Sequence, residues 1–299
     1  MKKDLRPADK VNILFCFFLT VLTFFFYRNI HSAGYLILIY SSMILFQVAL
    51  AYIYRYNSIL TNIRDIIFPV VSIFTIFETL ELIVHNVNPQ DIDYLLIRLD
   101  YMIFGFHPTV ALENYMSPLL TDIIQVAYST YYFLPISLGI ALKLKGKHEE
   151  FEKSLFLIML CFYISYLGYI LFPALGPRYA MHHFHQGELE GLILAMPLHN
   201  LLNHLEGIKR NAFPSGHTGI ALLVLFLSYI YARRLFWVLL IPILLLIIAT
   251  VYCRYHYVVD VIGGIVLTVV TIIIGEVYYN NYLKKGNVKS FMKKYLLSV

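Results

Sequence analysis

The stretch VYCRYHYVVDVIGGIVLTVVTIII, Val251 to Ile274, joins an arginine, a histidine and an aspartate to an apolar run that carries no charge. Hydrocarbon accepts the second half and rejects Arg254, His256 and Asp260, so the segment reads as a membrane helix with a chemically loaded start. The rest of the chain repeats the apolar half. Of its 299 residues 60% are hydrophobic and 14% charged, against about 25% charged in soluble domains. Apolar runs near the roughly 20 residues that span a bilayer recur at about 11–27, 35–54, 66–84, 122–142, 154–172, 213–231, 235–253 and 256–279. The expected fold is therefore all-α, a polytopic membrane bundle of about eight transmembrane helices, because lipid requires backbone polar groups to be satisfied within each segment. The first run follows MKKDLRPADK and lacks a small-residue cleavage site, so it reads as a retained helix.

Charge gives the expected orientation. If the helices alternate, 17 of the 23 lysines and arginines share the side of the chain ends, among them Lys2, Lys3, Arg55, Lys285, Lys289, Lys293 and Lys294. Arg28, Arg98, Arg178, Lys209, Arg210 and Arg254 lie on the other side. The positive-inside rule makes the first side, with both termini, cytoplasmic. Histidine shows the reverse skew: only His148 of 11 lies on the lysine side, so the chemistry is expected on the outer, periplasmic, extracellular or lumenal face. The charge of +5 forms no aromatic-interleaved basic patch, which argues against a nucleic-acid partner. Cys16, Cys161 and Cys253 form no CxxC pair, so neither a disulfide framework nor a cysteine metal site is expected.

Three distant segments should meet at the outer face. Arg178 lies in FPALGPRYA after the fifth run; Ser215, Gly216 and His217 lie in NAFPSGHTG at the start of the sixth; Arg254, His256 and Asp260 join the seventh to the eighth. Each suits a phosphate. A helix start offers free N–H groups and the positive end of its dipole, Gly216 allows close backbone approach and the Ser215 hydroxyl can cap the helix or donate to a phosphoryl oxygen. Arginine forks match phosphate oxygens. His256 and Asp260 are four residues apart, one face of a helix, where a carboxylate can fix the imidazole tautomer and leave the other nitrogen as nucleophile. His217 is then the proton donor. The loop histidines His182, His183 and His185 read as an exposed loop in preference to a metal site, and Glu78 and Glu81 share a face of the third run as a buried polar pair or a proton site. Asp93, Arg98 and Asp100 in IDYLLIRLDYMIFGF read as an interfacial helix.

LGPR, FPSGHT and CRYHYVVD resemble the three motifs of the type 2 phosphatidic acid phosphatase superfamily of membrane phosphoesterases. DYLLIRLDYMIFGF, YSTYYFLP and HYVVDVIGG look closer to its inositolphosphotransferase or aureobasidin-resistance branch. The resemblance covers about 90–275 and implies a six-helix phosphatidic-acid-phosphatase-like core at 89–280, after N-terminal transmembrane helices at 1–88 and before a basic cytoplasmic tail at 281–299. It implies that His256 attacks phosphorus to form a phosphohistidine, that Asp260 orients it, that His217 protonates the leaving group, and that Arg178, Ser215, Gly216 and Arg254 hold phosphoryl oxygens, with no metal or cofactor.

There are two departures. Leu171 stands where the family commonly has a lysine, which makes Lys209 and Arg210 the candidate substitutes. Cys253 takes the family's serine place, and Tyr255 alone separates Arg254 from His256. Two residues on a helix would diverge, whereas in an extended connector they face one way, so Arg254 is expected in a non-helical turn, with the last helix beginning near His256. The expected function is a lipid phosphatase acting on a phosphomonoester or pyrophosphate in the bilayer. The first alternative transfers the phosphoryl or phospho-headgroup to a lipid alcohol. The second, a transporter or channel, would place ionisable residues near the midplane with repeat symmetry between halves, and neither is visible.

Overall fold

A segment that is apolar on every side is stable only when neighbours or lipid surround it, and HEEFEKSLFLIMLCFYISYLGYIL is such a segment. In the computed structural model, which describes residues 5–53, 57–187, 189–205 and 209–296, it forms the central post of a helical bundle. The helices in order are α1 (Pro7–Phe25), α2 (Ala33–Ile53), α3 (Ser58–Val87), α4 (Asp93–Phe104), α5 (Pro108–Tyr115), α6 (Pro118–Leu144), α7 (His148–Leu171), α8 (Ala195–Leu205), α9 (Gly216–Tyr231), α10 (Arg233–Tyr252) and α11 (Val258–Leu296). Helix α7 touches α1, α3, α6, α9 and α11. Its most apolar window is 61% buried, against 33–39% in the six other long apolar helices, which turn more of their surface to lipid.

Among the described residues seven helices are long and apolar enough to cross a membrane, and α9, with 16 residues, is a shorter apolar helix. The chain is a multi-pass membrane protein, and each of the eight apolar runs holds a helix. Lys2, Lys3 and Arg55 of the charge map lie outside the described residues, and of Lys285, Lys289, Lys293 and Lys294 only the backbone is described. The interfacial segment is helical as α4, and α5 follows it at a bend of 67°.

Several boundaries differ from the hydropathy reading: α7 begins six residues early, at His148, α11 runs on to Leu296, and two early starts have one cause. Helices α1 and α3 begin at Pro7 and Ser58, earlier than the apolar runs, because their first turns bury charge. Asp9 accepts from Arg64 and, at 2.7 Å, from Gln47; Gln47 in turn accepts from Asn12 at 2.7 Å, and Ser72 donates to Asn12 at 2.6 Å. Arg6 reaches Asp65 at 2.6 Å and Glu152 at 3.2 Å, and Lys143 reaches Asp65 at 2.7 Å. A π-helical turn at Ile63–Ile67 carries Arg64 and Asp65 to this network, which ties α1 and α2 to α3, α6 and α7 at the end of the bundle opposite the histidine motifs.

Close contact between α9 and α11 depends on small residues, as helix contacts in lipid commonly do. A Cβ on Gly264 would lie 2.7 Å from both the Ser215 carbonyl oxygen and Thr218 Cβ. The GG of the opening stretch therefore brings the last helix against the start of α9.

Candidate active site

The three motif segments are joined through their backbones. The chain leaves α7 extended, turns at Gly176 with φ 86°, and donates the Arg178 N–H to the Arg254 carbonyl at 2.9 Å. Ala212 N–H bonds Ala174 at 3.1 Å, and Ser215 N–H bonds Asp260 at 3.1 Å. Two aspartates of α4 fix the same junction. Asp93 accepts from Leu175 N–H at 2.8 Å, Gly176 N–H at 2.9 Å and the Tyr257 hydroxyl at 2.8 Å. Asp100 accepts from Val258 N–H at 3.0 Å and Val259 N–H at 2.9 Å, capping α11. A third, Asp122 on α6, accepts from the N–H groups of Ile193, Leu194 and Ala195 and caps α8. The sequence reading missed these roles. The available signal was the spacing of Asp93 and Asp100, seven residues apart and so on one face of an apolar helix.

At the junction His256 and His217 face each other, both buried, with Nε2 of the first 3.3 Å from Nδ1 of the second. His256 Nδ1–H donates to the Ala212 carbonyl at 2.8 Å, while the Asp260 carboxylate stands 3.4 Å away and accepts the Tyr257 N–H at 2.8 Å. His256 precedes α11, so it and Asp260 do not share a helical face. They meet because the carboxylate folds back over its own helix start, and the tautomer is set first by a backbone carbonyl. His217 is enclosed by aromatic rings, stacked on Tyr128 at 4.7 Å and tilted against Tyr131 at 4.2 Å.

Ser215 is fully buried and caps α9, accepting the Thr218 N–H at 3.3 Å. At Gly216 a Cβ would fall on the Tyr169 hydroxyl, so the glycine leaves room for that ring end beside the helix start. Arg254 lies in a turn and is the one described non-glycine residue with positive φ, 61°, a left-handed conformation that costs L-residues about 1–2 kcal/mol. Its guanidinium donates to Glu113 at 2.8 Å and to the Gly187 carbonyl at 2.8 Å. Arg178 lies 4.8 Å from the centre of the Tyr255 ring, whose own stacking partner is Tyr128 at 4.3 Å. Contacts thus run from Arg178 through Tyr255 and Tyr128 to His217. Arg210 is held in a two-pronged bridge to Asp91 at 2.8 and 3.2 Å, and the Lys209 N–H donates to Glu81 at 3.0 Å. Glu81 therefore anchors a loop, and Glu78 is exposed on α3, so the two are not a buried pair.

The loop histidines divide. His183 is exposed against Phe184, whereas the His185 side chain is buried, with Nδ1 2.7 Å from Glu113. Burial first, and the neighbouring Arg254 second, hold His185 below the usual histidine range against the opposing pull of Glu113. Among the described residues no group of three or more histidines, cysteines or carboxylates is placed to hold a metal ion.

Two cavities flank the histidines. A narrow apolar cleft of about 90 Å³, walled by Phe74, Phe77, Tyr131, Tyr166 and Tyr169, ends on His217. A polar cavity of about 430 Å³ lies on the arginine side and is lined by Gln125, Arg178, His182, His185, His199 and Arg254.

A helical membrane bundle whose helix ends gather a buried histidine pair, a helix-capping PSGH and two arginines defines the class. The model of the PAP2 superfamily matches residues 95–274, more than half of the chain, and the chain belongs to that superfamily. A PA-phosphatase related-family protein of Dictyostelium discoideum is 24% identical over 199 residues, which cover 60% of this chain and 36% of that protein. The chain thus spans about a third of the length of that relative. No solved structure matches the chain.

Proposed function

We propose that the protein is an integral-membrane lipid phosphatase that cleaves a lipid phosphomonoester or pyrophosphate through a phosphohistidine on His256, without a metal. The observation that carries this reading is the His256–His217 pair. With Nδ1–H of His256 engaged by Ala212, its Nε2 holds a lone pair, and the 3.3 Å contact then takes its proton from His217 Nδ1. A nucleophile and a proton donor are thus set side by side, and in this reading His217 starts as the imidazolium, so that giving up its proton leaves it a neutral imidazole able to take one from water in the second step.

The rings are too close for a phosphoryl group to lie between them, so substrate must part them. His256 Nε2 then forms the bond to phosphorus as the bond to the leaving oxygen breaks, and the His217 proton passes to that oxygen. In the second step water gives a proton to His217 and its oxygen to phosphorus; the P–N bond breaks and phosphate departs. Asp260, 3.4 Å from Nδ1, favours the positive charge that grows on His256. In this reading Ser215 and Gly216 present the start of α9 to the phosphoryl oxygens, and Arg178 and Arg254 reach them once the Tyr255 ring turns aside. Arg210 joins them only by leaving Asp91. The charge map supports cytoplasmic termini and a site at the outer face.

Transfer of the phosphoryl or phospho-headgroup to a lipid alcohol shares the first step. It is favoured by the aromatic cleft on His217, an apolar route by which an acceptor lipid can approach. The full chain in lipid nanodiscs, and its His256→Ala variant, should be given a panel of lipid phosphates with and without a lipid alcohol, following free phosphate and new lipid by mass. Loss of about 10²-fold or more in the variant is expected, and equal turnover by both proteins would sink the phosphohistidine. New lipid without free phosphate would assign the transferase. Chelator is expected to leave turnover intact.

A further inference from the structure

The connection before the PSGH segment carries an apolar face that the histidine site does not use. GLILAMPLHNLLNHL, Gly191 to Leu205, holds no lysine, arginine, aspartate or glutamate. It turns large side chains outward: Leu192, Leu194 and Leu201 are exposed, and Ile193 is 76% exposed. Helix α8 is two-sided. Leu194, just before its first residue, Pro197 and Leu201 follow the i, i+3, i+7 spacing of one helical face, and all three are exposed. The other face is engaged by protein, since Ala195 is buried and His199, four residues on, bonds the Tyr255 hydroxyl through Nδ1 at 3.0 Å.

An exposed apolar patch marks a protein partner or a membrane, and three observations favour the membrane. The first is depth. The 27 residues of α6 make about 40 Å against about 30 Å of hydrocarbon, so each end overhangs by about 5 Å. Asp122, about 6 Å along the helix from Pro118, therefore lies at the edge of that layer, and it is the residue to which the segment is tied. The second is backbone chemistry. Leu192–Leu194 is not helical, yet the N–H groups of Ile193, Leu194 and Ala195 all donate to Asp122, at 3.0, 3.2 and 2.8 Å. Water would satisfy such groups unaided, whereas a bilayer requires the protein to do it. The third is continuity. Leu119, Ile123 and Val126, on either side of Asp122 along the membrane helix α6, are exposed, so the apolar face of the segment adjoins a surface that already meets lipid.

We propose that Leu192–Leu201 lies in the membrane interface, with Leu192, Ile193, Leu194 and Leu201 against the upper acyl chains of phospholipids, and that this contact holds α8 on Tyr255. The leaflet thereby steadies the residue that precedes His256. The inference does not depend on the phosphoesterase reading.

The test uses the full chain in phospholipid nanodiscs. Trp237, the only tryptophan of the chain, is replaced by phenylalanine, and Ile193→Trp or Leu201→Trp is added as reporter, with Lys145→Trp, an exposed loop position, as the water reference. Phospholipids brominated high or low on the acyl chain and aqueous iodide are the quenchers. An interfacial helix sits about 5–10 Å into the headgroup and acyl boundary, so both reporters should be quenched most by the high bromines and less by iodide than the reference is. Quenching by iodide as strong as at the reference overturns the proposal. Quenching by neither, which means that protein or a second copy covers the face, overturns it too, as does quenching strongest from the low bromines. Ile193→Glu then tests the link to Tyr255, because a carboxylate draws the segment out of the interface. It should abolish bromine quenching at Leu201→Trp and speed hydrogen exchange at the Tyr255 and His256 amides, which both donate to the Thr250 carbonyl. Unchanged exchange at those two amides, with the quenching lost, overturns the link.

Discussion

Replacing Asp93 with alanine should unlatch the candidate active site while leaving its histidines chemically intact. The Asp93 carboxylate is 7% exposed and accepts three hydrogen bonds, from Leu175 N–H, Gly176 N–H and the Tyr257 hydroxyl. The hydroxyl can rotate to another acceptor, but the two N–H groups are fixed by the turn. A buried donor left without a partner costs about 1–3 kcal/mol. Gly176 is buried and Leu175 half-buried, so the change should cost roughly 2–4 kcal/mol, and Asp93→Asn, which keeps one acceptor oxygen, about half that. Unfolding in mixed detergent micelles measures the stability, and turnover of a lipid phosphate in nanodiscs measures the consequence. Because the same turn carries Arg178 and lies against Tyr255, turnover should fall more than tenfold in Asp93→Ala under conditions where it is still folded. A cycle with Tyr257→Phe separates the shared bond from general damage, with an expected coupling of about 0.5–3 kcal/mol. Stability of Asp93→Ala within about 0.5 kcal/mol of the unaltered protein, together with additive behaviour in the cycle, would refute the latch.

Arg64→Ala removes one of the two cations on buried Asp9, which keeps Arg6 and Gln47, so the loss of a charged hydrogen bond should cost about 1.5–3 kcal/mol, read as a lower unfolding midpoint. Gly264→Val forces a side chain against Ser215 and Thr218, which should destabilise the protein by about 1–3 kcal/mol and reduce turnover, because α9 and α11 carry the two histidines. His185 has its pKa lowered by folding, so between that value and the ordinary 6.5 the unfolded chain binds more protons. Stability should therefore hold above pH 6.5 and fall as the pH drops through that window; His185→Gln should flatten this acid-side decline, and an identical pH profile would count against it.

The helices were legible wherever lipid alone dictates structure, because an apolar run long enough to span has one stable form. Among the boundaries that moved, the early starts at Pro7 and Ser58 belong to helices whose first two or three turns carry Asp9, Asn12, Arg64 and Asp65 into a network between helices. Hydropathy takes such residues for loop, and only their partners on other helices reveal that they are inside. PSGH and HxxxD also marked the right segments, but side-chain direction was lost at Arg254. The extended-connector argument assumed ordinary φ on both sides of Tyr255, and a left-handed residue re-aims a side chain without changing any letter of the sequence.

The least legible contributors are Asp93, Asp100 and Asp122. Their partners are backbone N–H groups, which every residue but proline offers and which no motif records. All three act alike, taking the first free N–H groups of a turn or helix and fixing where it starts. Two of those starts, the turn before Arg178 and the first turn of α11 after His256, border the chemistry. A sequence reader finds the reactive side chains because their types are rare in hydrocarbon. What places them within 3.3 Å of each other is carried by carboxylates of α4 that look, residue by residue, like the polar edge of an interfacial helix. Substitutions in α4 should therefore alter turnover more than its distance in sequence from either histidine suggests, and they should do so through the geometry of the histidine pair.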